Sequence, residues 1–182
     1  MRADRTLLLI DLQLDYFPGG RHELPGAEAA VANAARLLAA AREAGAPIVH
    51  VQHLATSPSA TFFIPGTEGI EFHPAVRPAV GETVIVKHRP NAFLGTELAA
   101  HLGEGRAVTV VGMMTSMCVD ATVRAAADLG HTVSVAADAC AAPELELRGR
   151  RVGAADVHTA FLAALDGTYA EVRTTAELLA EA

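Results

Sequence analysis

Tryptophan is absent from the sequence, and aromatic residues together make up only 4% of it. The core must therefore be built mainly from Ala, Val and Leu, a composition that suits helices packed on a buried sheet. Cysteine is scarce too. Cys118 and Cys140 are the only two in 182 residues, which excludes a disulfide framework. No basic cluster offsets the net charge of -7. Nucleic-acid binding needs a positive footprint, so that class of partner is excluded. No apolar run reaches the roughly 18 residues of a membrane span. The apolar stretch Leu7 to Leu12 is too short for a signal-peptide core, and no small-residue cleavage site follows it. A reduced, cytoplasmic setting is the expectation. Disorder is excluded, since half the residues are apolar and only 19% are charged. The length suits one domain, residues 1–182, with a full core.

Five short runs are nearly continuous in Val, Ile and Leu: Thr6 to Leu12, Pro47 to Gln52, Thr83 to Lys87, Ala107 to Gly112 and Thr132 to Ala137. They do not alternate with polar residues, which predicts strands of a parallel sheet buried on both faces. Ala170 to Thr174 is a weaker sixth. Ala-rich helical segments lie between them: Ala27 to Ala44, Thr96 to Leu102, Val119 to Leu129, Val152 to Leu165 and Ala176 to Ala180. Glycines 45, 103, 130 and 167 stand where the first four stop. The alternation predicts right-handed crossovers and helices on both faces. His53 to Glu82 is a long stretch without periodicity, and such a stretch in a compact domain usually covers a site.

In doubly wound sheets, ligands sit beyond the C-terminal strand ends. That rule selects Asp11, His53, Lys87, the segment after Gly112, and Asp138. Cys118 follows the fourth strand at the start of a helix, where the macrodipole favours thiolate. By position alone the commoner reading is a small buried hydrophobe, which is what most free cysteines are. Lys87 ends a Val-Ile-Val strand; it either enters a site, where it would lower a thiol's pKa, or snorkels to solvent. Asp11 stands in an apolar strand, a costly place for a carboxylate unless it is paired or used. Cys140 is expected to be structural, and Asp138 a cap for the segment that follows. A dinucleotide site is disfavoured, because Asp11-Leu12-Gln13 stands where a Gly-x-Gly-x-x-Gly turn would begin.

Four segments taken together resemble the isochorismatase-like cysteine hydrolases, which include nicotinamidases, carbamoylsarcosine amidases and streptothricin hydrolases. They are Ile10-Asp11-Leu12-Gln13-Leu14-Asp15-Tyr16; Val86-Lys87 with Asn91-Ala92-Phe93; Val111 to Thr122, containing Gly-x-x-Thr-x-x-Cys-Val; and Ala137-Asp138-Ala139-Cys140. The resemblance spans nearly the whole chain. It implies a three-layer Rossmann-like α/β fold with a six-stranded parallel sheet in the order 3-2-1-4-5-6. It implies a catalytic triad of Asp11, Lys87 and Cys118, a cis peptide between Met113 and Met114, and an oxyanion hole from the N–H groups of Met114 and Cys118. Tyr16 falls where the family has an aromatic wall against the substrate. Gln13, His53, Asn91, Phe93 and Thr115 join it as expected substrate-binding residues, and Phe62 and Phe63 are either part of that wall or core.

Nicotinamidases carry an Asp-x-His metal motif after the second strand. Here the stretch reads His50-Val51-Gln52-His53-Leu54, without that aspartate. By type, His50, His53 and His73 are a zinc set; without the aspartate, the expectation is no metal and no cofactor. The reading that follows is an amidase acting on non-peptide C–N bonds of a small amide through a thioester, with the streptothricin-hydrolase type as one candidate, and a homo-oligomer, dimer or larger, by family habit. The alternatives are an isochorismatase-type ether hydrolase, which would not need Cys118, and a non-catalytic binding relative.

Overall fold

The computed structural model describes residues 2–181. A six-stranded sheet runs β3-β2-β1-β4-β5-β8, and every pairing in it is parallel. Its strands are β1 (Arg5–Ile10), β2 (Ile48–His53), β3 (Thr83–Lys87), β4 (Ala107–Met113), β5 (Thr132–Ala141) and β8 (Glu171–Arg173). The expected order therefore holds, and the sixth sheet strand is eighth in the chain because a hairpin intervenes. That hairpin pairs β6 (Leu145–Leu147) with β7 (Arg150–Val152) and was not expected. It takes Val152, assigned above to a helix, into a strand.

The helices are α1 (Ala27–Ala44), α2 (Leu98–Leu102), α3 (Asp120–Asp128), α4 (Ala154–Leu165) and α5 (Thr175–Ala180). α1 and α5 cover one sheet face, with Leu7, Leu9, Leu37, Leu38 and Leu178 in that core. α2, α3 and α4 cover the other, around Leu8, Ile10, Val110, Val123 and Leu165. Gly45 ends α1 at φ 64, returning its N–H to Ala41 and Arg42 carbonyls, the left-handed cap that glycine adopts at least cost.

The expectation of strands buried on both faces fails for β3. Ile85 and Lys87 point in, while Val84 and Val86 are 42% and 41% exposed. β3 is an edge strand, and among the described residues no helix shields these two side chains from solvent.

Gly112 fixes the approach of the two central strands. Its φ is 124, and a Cβ built there would lie 2.0 Å from the Ile10 carbonyl oxygen. Just beside it the β4–β5 register slips, with Val110 opposite Val135 but Gly112 opposite Cys140. The extra residues of β5 include Asp138, whose Oδ1 accepts from the N–H and hydroxyl of Thr175 at the start of α5. Asp138 is thus a structural cap. Cys140 is buried, its thiol pushed up to about 12 chiefly by desolvation, which fits an inert core residue.

Candidate active site

Three strands of the sheet, β1, β3 and β4, deliver three side chains to one end of it. Asp11 follows β1 directly, at φ 51, an uncommon conformation outside glycine. Its N–H still donates to Val51 of β2 at 3.0 Å, so the strand pairing continues to the turn. Lys87 is the last residue of β3. Cys118 lies in the π-helical turn Thr115–Val119 between β4 and α3.

Asp11 and Lys87 are fully buried and Cys118 nearly so. Lys87 Nζ stands 2.7 Å from Asp11 Oδ2 and donates to Cys118 Sγ at 3.3 Å and to His53 Nδ1 at 2.8 Å. The ammonium is thus shared by a carboxylate, a thiol and an imidazole. The contact to Asp11 is close as an ion pair but off the hydrogen-bonding direction, so neither carboxylate oxygen has a well-aligned donor. The short distance describes the attraction better than the missing alignment does, because Coulomb attraction is not directional. An imidazole nitrogen that accepts from an ammonium carries no proton. His53 in its neutral form therefore holds its proton on Nε2.

Burial pushes the Cys118 thiol well above the ordinary thiol range, and the charge of Asp11 adds to this; Lys87 pulls the other way. Desolvation and the Asp11 charge thus oppose the helix-terminus and Lys87 effects that favour thiolate. Among the described residues, Met117 and Val119 donate to the Met114 carbonyl at 3.0 and 3.2 Å. The Met113–Met114 peptide is cis.

The remaining expected site residues divide. Tyr16 is buried in an aromatic group, 4.8 Å from Phe63 and 5.9 Å from Phe62, and Phe63 lies 5.5 Å from His53. Burial, then the nearby charges of Cys118, Asp11 and Asp15, hold its phenol well above the ordinary value. Tyr16 and Phe63 therefore wall the side of the site next to His53. His53 is the most open member of the cluster, with its side chain 18% exposed.

Gln13, expected to bind substrate, is instead a staple. Its amide donates to the carbonyls of His53 (2.9 Å) and Ile70 (3.0 Å), and its Oε1 accepts from the His53 N–H at 2.7 Å. All of its polar atoms are engaged within the protein. Asn91 likewise closes its own turn, accepting from the Phe93 N–H at 2.9 Å. The Phe93 ring stacks on His131, which precedes β5 at the opposite end of the sheet, so it faces away from the cluster. Thr115 bonds to the Ala141 carbonyl at 3.1 Å and to His158 Nδ1 at 2.9 Å, anchoring the turn that carries Cys118 to β5 and α4. His158 was missed; nothing distinguishes one histidine within an Ala-rich helix.

The zinc set considered above does not assemble. His50 Nε2 contacts Glu82 at 2.8 Å, and His73 accepts from the Ala75 N–H and packs its ring on Phe17. A nicotinamidase-like metal motif therefore does not fit these residues.

A parallel α/β sheet with a cysteine, a lysine and an aspartate converging at its C-terminal edge defines a class of α/β hydrolases. The isochorismatase domain family matches residues 5–177, and the chain belongs to that family. It is 50% identical to the isochorismatase family protein YddQ of Bacillus subtilis, over 96% of this chain and 98% of that protein. It is 34% identical to the maleamate amidohydrolase of Pseudomonas putida, over 93% and 82%. It is 38% identical to a streptothricin hydrolase of Streptomyces noursei over 74% of this chain but only 49% of that protein. Among solved structures, an isochorismatase hydrolase from Oleispira antarctica superposes with a TM-score of 0.93 at 45% identity, covering 99% of this chain and 98% of the other. No helix among the described residues is long and apolar enough to cross a membrane.

Proposed function

We propose that this family member is an amidase that hydrolyses a non-peptide C–N bond of a small amide through a thioester on Cys118. The observation that carries the reading is the Lys87 ammonium held between the Asp11 carboxylate and the Cys118 sulfur. That arrangement serves a thiol that must lose its proton only when substrate arrives. Asp11 takes the proton, and Lys87 stabilises the single negative charge as it passes from the carboxylate to the sulfur.

The thiolate then attacks the amide carbon, and the carbonyl electrons move to oxygen. The N–H groups of Met114 and Cys118 supply the oxyanion site. Collapse breaks the C–N bond, and the amine leaves with the proton from Asp11. Asp11 next removes a proton from water, the hydroxide attacks the thioester, and the acid departs as the thiol re-forms. Two relatives are named for amide-type hydrolyses, which supports a C–N bond over an ether. A free cysteine nucleophile adds nothing to ether hydrolysis.

The test is a panel of primary and cyclic amides, read by released ammonia or amine, with intact-mass analysis of quenched reactions. An acyl adduct on Cys118 is expected. Cys118→Ala should abolish turnover and leave the fold unchanged. If that variant hydrolyses a confirmed substrate at the wild-type rate, the thioester route is wrong and an isochorismatase-type ether hydrolysis takes its place.

A further inference from the structure

We propose that Asp11, His53 and Cys118 form a binding site for a soft divalent cation such as Zn²⁺, occupied in the resting protein by the Lys87 ammonium and entered by a metal ion that displaces it. This is independent of the amidase reading, because it concerns the donor set and not the substrate.

The three donors are a carboxylate oxygen, an imidazole nitrogen and a sulfur, all within 4.8 Å of one another. They are the only such group of three His, Cys, Asp or Glu among the described residues. Their types suit zinc, which takes Asp, His and Cys together. The spacing is close to what zinc requires. His53 Nδ1 lies 3.8 Å from Asp11 Oδ2 and 4.0 Å from Cys118 Sγ. Tetrahedral bonds of about 2.0–2.3 Å place such donors about 3.4–3.6 Å apart. The two pairs that include His53 must close by roughly half an ångström, and the partly exposed His53 ring is the member free to tilt; the Asp11 and Cys118 donors lie within 4.8 Å of each other.

Three further observations point to a cation. The Lys87 nitrogen already sits at 2.7, 2.8 and 3.3 Å from the three donors, so a positive charge is held at their common focus. Both Asp11 oxygens are buried without a well-aligned donor, so the carboxylate retains capacity for a metal bond. The Nδ1 atom of His53 already faces the focus as an unprotonated acceptor, the form a metal needs. A fourth position is open on the His53 side, where the cluster meets solvent. On binding, Cys118 S–H exchanges its proton for the metal and that proton goes to solvent, so affinity rises with pH. Lys87 is the competitor. Its charge repels the incoming ion, and it protects the cysteine from capture by metal.

Removing the ammonium exposes the site. Lys87→Met keeps an unbranched side chain one atom shorter and deletes its charge. Titrated with Co²⁺, that variant should develop a thiolate-to-cobalt charge-transfer band in the near ultraviolet, and Zn²⁺ should displace it. The band should be absent in Lys87→Met/Cys118→Ser and weakened at least about tenfold in affinity in Lys87→Met/His53→Ala. In the wild-type protein, Zn²⁺ should slow alkylation of Cys118, with an affinity at least about tenfold below that of Lys87→Met. Lys87→Gln serves as the second variant should Lys87→Met fail to show a wild-type circular dichroism spectrum. A folded Lys87 variant without the band overturns the proposal, as does a band that survives loss of Cys118.

Discussion

Replacing Asp11 by Asn should move three observables in different directions. The substitution keeps the shape and removes both the base and the negative charge. Turnover should fall by about 10²–10⁴ for loss of a general base. The reactivity of Cys118 toward a small alkylating agent should rise instead. Asp11 lies within 4.8 Å of the sulfur and is, after burial, the largest influence raising the thiol. A unit charge at that distance is worth about 3 kcal/mol at an effective dielectric near 20, up to about a hundredfold in thiolate population. A less basic thiolate is also a weaker nucleophile, so the net gain in alkylation rate should be about tenfold. Stability should drop, because Lys87 keeps its charge in a site with no exposure. Breaking a buried pair costs about 3–5 kcal/mol, roughly 6–20 °C in Tm for a domain of this size. The double variant Asp11→Asn/Lys87→Met removes both charges and should recover most of that loss without recovering turnover. The assays are steady-state kinetics, iodoacetamide labelling followed by mass, and thermal unfolding. An alkylation rate that falls in parallel with turnover would refute the reasoning, since it would mean that Asp11 holds the sulfur in its reactive form at rest.

Glu82 carries a second prediction, on acid stability. Its carboxylate accepts from Arg42 at 2.7 and 2.9 Å, from the Ala79 N–H and from His50, and the Arg42 bond foremost lowers its pKa to about 2. A carboxylate depressed in this way stabilises the fold fully above its unfolded pKa, and the contribution is lost as pH falls toward 2. Glu82→Gln should therefore lower the urea midpoint most at neutral pH, with the two proteins converging below pH 4; a constant difference across pH would exclude this linkage. The chain is also expected to form a dimer or larger assembly, since the hairpin presents Leu145, Leu147 and Val152 to solvent and an isolated hairpin is marginal in water. Light scattering that finds a monomer at micromolar concentration would contradict this.

The buried strands and α1 were legible because their signals are local. Nearly continuous apolar runs mark β1, β4 and β5, and Gly26 and Gly45 bracket α1 at its observed ends. The β6–β7 hairpin was not legible from apolar runs, since Glu146, Arg150 and Arg151 interrupt them; its mark is the turn at Arg148 and Gly149, both at positive φ. The exposure of β3 follows from its edge position, which no feature of its own five residues encodes. In the site, Asp11, Lys87 and Cys118 could be singled out because polar groups at the ends of apolar strands are conspicuous. Gln13 was misread for the same reason. Its partners at His53 and Ile70 come from distant segments, so the sequence shows a polar side chain at a strand end and hides that it is already satisfied.

The close contact at Gly112 has a bearing on how far this site can be altered. With no room for even a methyl group against Ile10, the separation of β1 and β4 is set by bare backbone, and with it the distance from the carboxylate after one strand to the sulfur after the other. The reacting end of the pocket is in effect a gauge of fixed width. New substrate preferences must come from elsewhere, and the segment from His53 to Glu82, with Phe62 and Phe63 on it, is the part free to vary. Efforts to enlarge the pocket should therefore redesign that segment and leave residue 112 alone.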